Sequence, residues 1–555
     1  MARFWAKLLG QGRGFTWFLT KPAKRAATVR IERSTMPADT TAPSISHAIQ
    51  GTALLIVTVC AATGTLMQSL DTTIANVALP YMQGTVGASQ EEINWVLTSY
   101  IVSAAIMTAP TGFLAARFGR TRLFVTSILG FTAASILCGM SQSLTQIVLA
   151  RILQGMFGAA LVPLAQSIMY ELYPGERRGP AMAIWGIGVQ VGPIFGPILG
   201  GWLTQHYSWR WVFYVNVPFG LIAAAGLALF MKDEPAPATK PKLAWVGFAS
   251  LSIAVGALQI MLDRGEQMDW FSSPEIIIEA SISCLAFYIF LVHSFLAPAP
   301  FLSPKLFTDV NFVLGLFFVF IIGLILFATL ALLAPFLQEL LNYPVITAGL
   351  VLAPRGLGTM LSMALAGRLV NRLGARPLVA AGFVCSAYSL YLMTKWNPDI
   401  SEQAIMMAGV VQGLAVGLVF VPLSTMMFAT MAPRARTEAA GVFSLVRNLG
   451  SSIGIATTGA LLTFNTQVNH EQIGAAVSAF NRAMQSGSVF RYWNPHTLAG
   501  AGALNQEVTR QASFIAYIDD FQLMFILSLA ALPLCFFLRP SKAAPVSQGH
   551  APAMD

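Results

Sequence analysis

Asp71 is the only acid set well inside a long apolar run of this chain. Counted back from Pro80 at about 1.5 Å per residue, it lies about 13 Å from the end of that run. An ionised carboxylate is costly in apolar surroundings, and acids in such places serve proton or ion pathways by default. Asp71 is therefore a candidate proton carrier; the alternative is a structural acid tied to an arginine. Arg151, about 10 Å into another run, is a suitable partner. Either a ligand modulates that pairing, or Arg151 simply snorkels toward the nearer interface. Arg355 and Arg447 also sit deep in apolar runs. They either face a ligand cavity or bond to carbonyls of a neighbouring helix. Gln68, Gln154, Gln412 and Asn448 place further polar groups in such runs and join the two arginines as candidate cavity residues.

A second set of residues suits movement. Gly188, Gly192, Gly196 and Gly200 recur every four positions, followed by Gly201. They form one smooth helix face that admits a close partner. Pro193 and Pro197 remove backbone donors on the same helix and permit bending. That combination suits a gate between two moving parts; plain helix packing is the alternative. Gly112-x-Leu114-x-x-Arg117-x-Gly119 recurs 255 residues later as Gly367-x-Leu369-x-x-Arg372-x-Gly374. Gln154-Gly155 recurs as Gln412-Gly413, and Pro163-Leu164 as Pro422-Leu423. The chain is thus internally duplicated, a common transporter design with the substrate path between the halves.

These residues must be positioned by membrane-crossing helices. Only 10% of the chain is charged and 55% is hydrophobic, against about 25% charged in soluble domains. A helix of about 20 apolar residues crosses a bilayer and satisfies its own backbone. Hydropathy predicts fourteen spans, at 52–79, 93–116, 123–141, 144–170, 180–204, 211–231, 243–262, 276–296, 310–336, 345–366, 377–394, 404–431, 439–464 and 520–538. Of the 33 Lys and Arg, 24 fall on the side of the termini, six on the other and three within spans. The termini are therefore expected to be cytoplasmic, and the net charge of +9 reflects cytoplasmic loops rather than nucleic-acid binding. The expected organisation is a basic cytoplasmic tail (1–50), a six-helix half (51–231), a linker with two inserted helices (232–309), a second six-helix half (310–540) with an outer loop at 465–518, and a cytoplasmic tail (541–555). The tail holds no long apolar stretch, so it is not a cleaved secretory signal; Met36 offers an alternative start. The five cysteines lie far apart in apolar runs, without disulfide or zinc spacing. No Gly-x-x-x-x-Gly-Lys-Ser/Thr loop or His-Glu-x-x-His is present. No cofactor or metal is expected, and the energy source must be an ion gradient or a downhill solute. One charge crossing the membrane gains about 2.3 kcal/mol per 100 mV, against about 1.4 kcal/mol per tenfold solute gradient.

Five segments together resemble the major facilitator superfamily, in particular its fourteen-span drug:proton antiporters of the EmrB/QacA type. They are Leu70-Asp71-Thr72-Thr73-Ile74-Ala75-Asn76-Val77-Ala78-Leu79-Pro80, Gly112–Arg122, Arg151-x-x-Gln154-Gly155, Gly188–Gly201 and Trp209–Pro218. The resemblance implies an all-α polytopic inner-membrane protein of 6+2+6 spans, not an enzyme, that exports small hydrophobic compounds in exchange for protons. It implies proton coupling through Asp71 and Arg151. It implies gating through Gly112, Arg117, Gly119, Arg120 and the glycine–proline face. It also implies a periplasmic adaptor and an outer-membrane channel as partners. The loop motif departs from the family where an acid usually precedes its first arginine: here stand Ala116 and, in the second copy, Asn371. An acidic latch to the neighbouring half is therefore not expected, and whatever locks the outward-open state must use other contacts. The in-span arginines outnumber the in-span acid, so neutral and weakly acidic substrates are expected over organic dications. The alternatives are an exporter dedicated to one metabolite, such as a siderophore, and a non-transporting membrane scaffold or sensor.

Overall fold

The computed structural model describes residues 51–173, 175–231, 243–298, 300–429, 431–477, 493 and 497–539. The tails, the linker Lys232–Lys242, and Arg482 and Arg491 of the expected outer loop lie outside them. Thirteen described helices are long and apolar enough to cross a membrane. A bent pair that passes the same test together brings the number to fourteen. In chain order they are α1 Thr52–Val86, α2 Trp95–Thr108 with Thr111–Phe118, α3 Arg120–Met140, α4 Leu144–Leu172, α5 Gly175–His206, α6 Trp211–Phe230, α7 Trp245–Arg264 and α8 Pro274–Leu296. Then follow α9 Val310–Leu340, α10 Thr347–Leu373, α11 Ala375–Met393, α12 Glu402–Ala429, α13 Ala435–Ala476 and α14 Leu498–Phe537. Each helix bonds its own backbone, as a chain in lipid must. Proline sets the largest bend: the two parts of α2 meet at 58° around Pro110, which has no N–H to continue the ladder.

The duplication is visible in the packing. Within the first half α1 packs on α5, α2 on α4, α3 on α4 and on α6, and α6 on α1. Within the second half the same partners recur: α9 on α13, α10 on α12, α11 on α12 and on α14, and α14 on α9. Contacts between the halves come in matching pairs as well, α5 with α10 and α13 with α2, α5 with α12 and α13 with α4. The inserted helices α7 and α8 pack on each other, and α7 touches both α2 and α13. The loop-motif glycines at the starts of α3 and α11 are also matched. Gly119 and Gly374 have φ of +92° and +80°, a region that only glycine enters freely.

The last two spans differ from the expectation. The helix beginning at Pro433 runs 44 residues to Ala476, or about 66 Å, twice the bilayer's hydrocarbon core of about 30 Å. α14 begins at Leu498, and His470 meets Asn505 at 3.1 Å. Within the expected outer loop, residues 465–476 and 498–518 are therefore helical extensions of α13 and α14, paired with each other.

Candidate functional site

Asp71 is fully buried inside the first half. Its Oδ2 accepts from Arg151 Nη1 at 2.5 Å; its Oδ1 accepts from Gln154 Nε2 at 2.8 Å and from Asn216 Nδ2 at 3.3 Å. Arg151, also buried, donates Nε–H to the Val96 carbonyl at 3.0 Å and Nη1–H to Gln154 Oε1 at 2.7 Å. The Tyr100 ring lies beneath the guanidinium, 4.1 Å from Cζ to the ring centre. Gln154 further donates to Ser135 Oγ at 2.8 Å. Five helices, α1, α2, α3, α4 and α6, thus converge on one carboxylate, each with a polar or aromatic group. The set needs no metal: charge is balanced within the pair, and each carboxylate oxygen has a donor.

Gln68, three residues before Asp71, does not face open space. Its Oε1 accepts from the Val162 N–H at 3.3 Å, next to the break in α4 at Ala159 and Ala160. Ser69 Oγ donates to the Val189 carbonyl, and Thr73 Oγ1 to the Gly192 carbonyl at 3.0 Å. The glycine face of α5 explains these bonds. A Cβ at Gly192 would meet the Ser69 backbone, one at Gly196 would meet Thr73, and one at Gly200 would lie 2.9 Å from Ile74. The close partner of Gly188, Gly192, Gly196 and Gly200 is therefore α1 of the same half and not the opposite half. Gly201 is looser, with Val77 at 3.9 Å. Pro193 and Pro197 lie inside an unbroken α5.

The second half repeats the polar cluster without the acid. Gln412 Nε2 donates to Thr329 Oγ1 at 3.0 Å, and Thr329 contacts Met524 Sδ at 3.5 Å. Thr329 and Gln412 stand 258 residues after Asp71 and Gln154. Arg355, 6% exposed, donates Nη2–H to the Leu326 carbonyl at 3.0 Å. Arg447 is half-buried, bonds Asn448 Oδ1 at 3.3 and 3.4 Å, and leaves Nη1 without a partner. Its guanidinium lies 5.9 Å from the Phe420 ring. Phe420 stacks on Trp185 of α5 across the seam, 5.4 Å between centres and 12° between planes, and the Trp185 Nε1–H has no partner.

The halves are latched at the face where α1 begins and α14 ends. Glu171, at the end of α4, binds Arg120 of the loop motif at 2.6 Å and Arg436 of α13 at 3.8 Å. Arg178 and Arg436 lie 4.7 and 5.1 Å from the Tyr170 ring, which packs edge-on against Phe428 at 5.7 Å. Thr437 meets Ser167 at 3.4 Å. A Cβ at Gly112 would lie 2.6 Å from Glu438 Cα, and Gly179 and Gly367 touch between α5 and α10. Asn371 donates to the Glu176 carbonyl. Arg117 lies beside Phe118 at 5.9 Å. Among the described residues, the hydrogen bonds, ion pairs and ring contacts that join the six-helix halves lie at this face or between it and the middle of the bundle.

The sequence pattern of the Major Facilitator Superfamily matches residues 61–455. The chain belongs to the Major Facilitator Superfamily. Over 505 residues it is 33% identical to the multidrug export protein EmrB of Escherichia coli K12, covering 91% of this chain and 99% of that protein. It is 32% identical to the fatty acid resistance protein FarB of Neisseria gonorrhoeae over 495 residues, 89% of this chain and 97% of that one. Its fold is similar to the proton:xylose symporter XylE (TM-score 0.55, 16% identity, 88% and 97% covered) and to the human organic anion transporter MFSD10 (TM-score 0.53, 16% identity, 86% and 100% covered).

Within this superfamily member, the structure joins Asp71, Arg151 and Gln154 and separates them from Arg355, Gln412, Arg447 and Asn448, which lie in the other half. Asn216, Ser135 and Tyr100 complete the acid's surroundings without having been singled out. Asn216 alone had a visible signal, its place in Trp209–Pro218. Contrary to the expectation from Ala116 and Asn371, an acid does join the halves: Glu171, from the end of a different helix, meets Arg120 of the loop motif and Arg436 of the other half.

Proposed function

We propose that this multi-pass transporter is a proton-coupled antiporter that expels small hydrophobic, neutral or weakly acidic compounds by alternating access. The form described here is then its outward-open state, with the latched face toward the cytoplasm, as the Lys/Arg distribution supports. The observation that carries the reading is the buried Asp71–Arg151 pair. Protonating Asp71 removes the counter-ion of a buried arginine and weakens the bonds from Gln154 and Asn216. α1 must respond, and Ser69 and Thr73 tie α1 to the glycine face of α5. α5 in turn reaches the opposite half at Gly179 and Gly367. Proton binding therefore has a short mechanical route to the seam.

The stacked Trp185 and Phe420, with unpartnered donors on Trp185 and Arg447, support an aromatic or carboxylate-bearing substrate. Burial of the Asp71–Arg151 pair and the carbonyl bond of Arg355 leave Arg447 as the cation that supports selection of acids. A fatty acid, the compound in FarB's name, suits the same donors. The paired extensions of α13 and α14 supply a docking surface for a periplasmic adaptor, itself coupled to an outer-membrane channel, in a bacterial inner membrane. The deciding experiment measures protons released by the purified protein when candidate substrates are added. Release is expected from the wild type and not from Asp71→Asn; equal release from both sinks the proposal.

A further inference from the structure

α14 carries a second carboxyl group in an unusual condition. Asp520 is 1% exposed, and neither Oδ1 nor Oδ2 has a hydrogen-bond partner among the described residues. It lies 18 residues before Leu538, about 27 Å along the helix, near the face opposite the latch. The helices packed on α14 bring it no cation. α9 is uncharged from Val310 to Pro335, and its last turn contributes Glu339. Tyr517 lies within electrostatic reach of both Glu339 and Asp520, and Asp519 is the nearest charge on α14 itself. α11 meets this part of α14 through Tyr391 on Phe525 and, just past its end, Trp396 on Phe521; Lys395 there is turned over the Tyr391 ring at 5.2 Å, and Arg376 is at the far end of α11, 5.1 Å from the Phe536 ring. α13 presents His470 and Glu471 farther out, where His470 meets Asn505 fifteen residues before Asp520. Arg510 is paired with Glu507 at 2.7 Å.

An isolated carboxylate in such surroundings does not stay ionised; it takes up a proton instead. A metal ion is a poor alternative, because hard cations require about six oxygen ligands and no such group of side chains exists among the described residues. The duplication makes the position informative. Thr329 stands where Asp71 does, and Met524 touches it as Asn216 touches Asp71. Asp520 is one helical turn from Met524. The second half thus has no acid at that place on its first helix and carries one on its last, without an arginine.

We propose that Asp520 is a second proton-binding carboxyl, protonated in the form described here and exchanging with the outer face. Its role in coupling rests on the antiporter reading above; its protonation does not. Infrared spectroscopy of the full-length protein in lipid tests the latter directly. A protonated-carboxyl band is expected in the wild type at neutral pH, lost in Asp520→Asn and retained in Asp71→Asn and Glu339→Gln. Asn has the shape of the neutral acid, so the variant's melting temperature should match the wild type. A band that survives Asp520→Asn, or that only Glu339→Gln removes, overturns the assignment. In proteoliposomes, Asp520→Asn should lower the protons exchanged per substrate by one. An unchanged ratio overturns its part in coupling, even where the infrared band stands.

Discussion

A buried ion pair has a cost that shows when one member is removed. Arg151→Met leaves Asp71 buried and uncompensated, and breaking such a pair costs about 3–5 kcal/mol. Asp71→Asn keeps the donors of Gln154 and Asn216 occupied and should leave the protein folded and inserted, with uphill export abolished. The double variant, Arg151→Met with Asp71→Asn, should recover most of the stability lost by Arg151→Met and none of the transport. Melting of the purified proteins and transport in vesicles check these outcomes together. Additive losses of stability would show that the two residues do not act as a unit.

At the scale of the helix, the glycines of α5 make a graded test. A Cβ at Gly188 meets the Ala62 carbonyl at an ordinary 3.4 Å, whereas one at Gly192 runs into the Ser69 backbone. Gly192→Ala should therefore destabilise by about 1–3 kcal/mol through overpacking, and Gly188→Ala should be close to neutral. Equal melting temperatures for the two would mean that α1 and α5 are not held at this spacing. The existence and order of the spans were legible in the sequence because each is a long apolar run. Their ends were less so. Hydropathy stops where the bilayer does, while α13 continues as a helix through polar residues to Ala476. For the same reason Asp520 reads as the first residue of a span when it is the twenty-third of a helix. The pairing of Asp71 with Arg151 was expected as one of two readings, since both depths could be counted from helix ends. Asn216 lies 145 residues from Asp71 and Glu171 is 51 from Arg120. No local periodicity announces contacts of that kind. The glycine repeat announced a close partner but not which helix it would be.

For the molecule as a whole, the latch should set the balance between states. Glu171→Gln removes the acid shared by Arg120 and Arg436, so the population open at that face should grow. Spin labels on the latch-side ends of α4 and α13 should report a longer distance, and an unchanged distribution would assign the closure to Gly112, Gly179 and the aromatic contacts. Topology is checked by labelling single cysteines in intact cells. Position 240 should be protected from an impermeant reagent and position 487 should react; the reverse pattern contradicts the orientation. Resistance profiling tests the substrate class. Protection against weak acids and neutral aromatics is expected, and strong protection against permanent dications alone would refute the argument from Arg447.

The placement of α7 has a further consequence, for traffic with the lipid. Two seams separate the halves, α2 with α13 and α5 with α10. Among the described residues the first alone is roofed: Asp263 of α7 bonds Thr98 on α2, while Gln259 of α7 and Glu266 just past its end meet Ser452 and Thr463 on α13 at 2.9 and 2.8 Å. Among the described residues the second seam has no such cover, and Leu357 and Leu361 of α10 are 63% and 61% exposed. A compound dissolved in the leaflet then has one side door rather than two, and the pseudo-twofold of the fold is broken for whatever enters sideways. A lipophilic photoreactive probe should label the α5–α10 seam, Leu357 and Leu361 included, and spare the α2–α13 seam beneath α7.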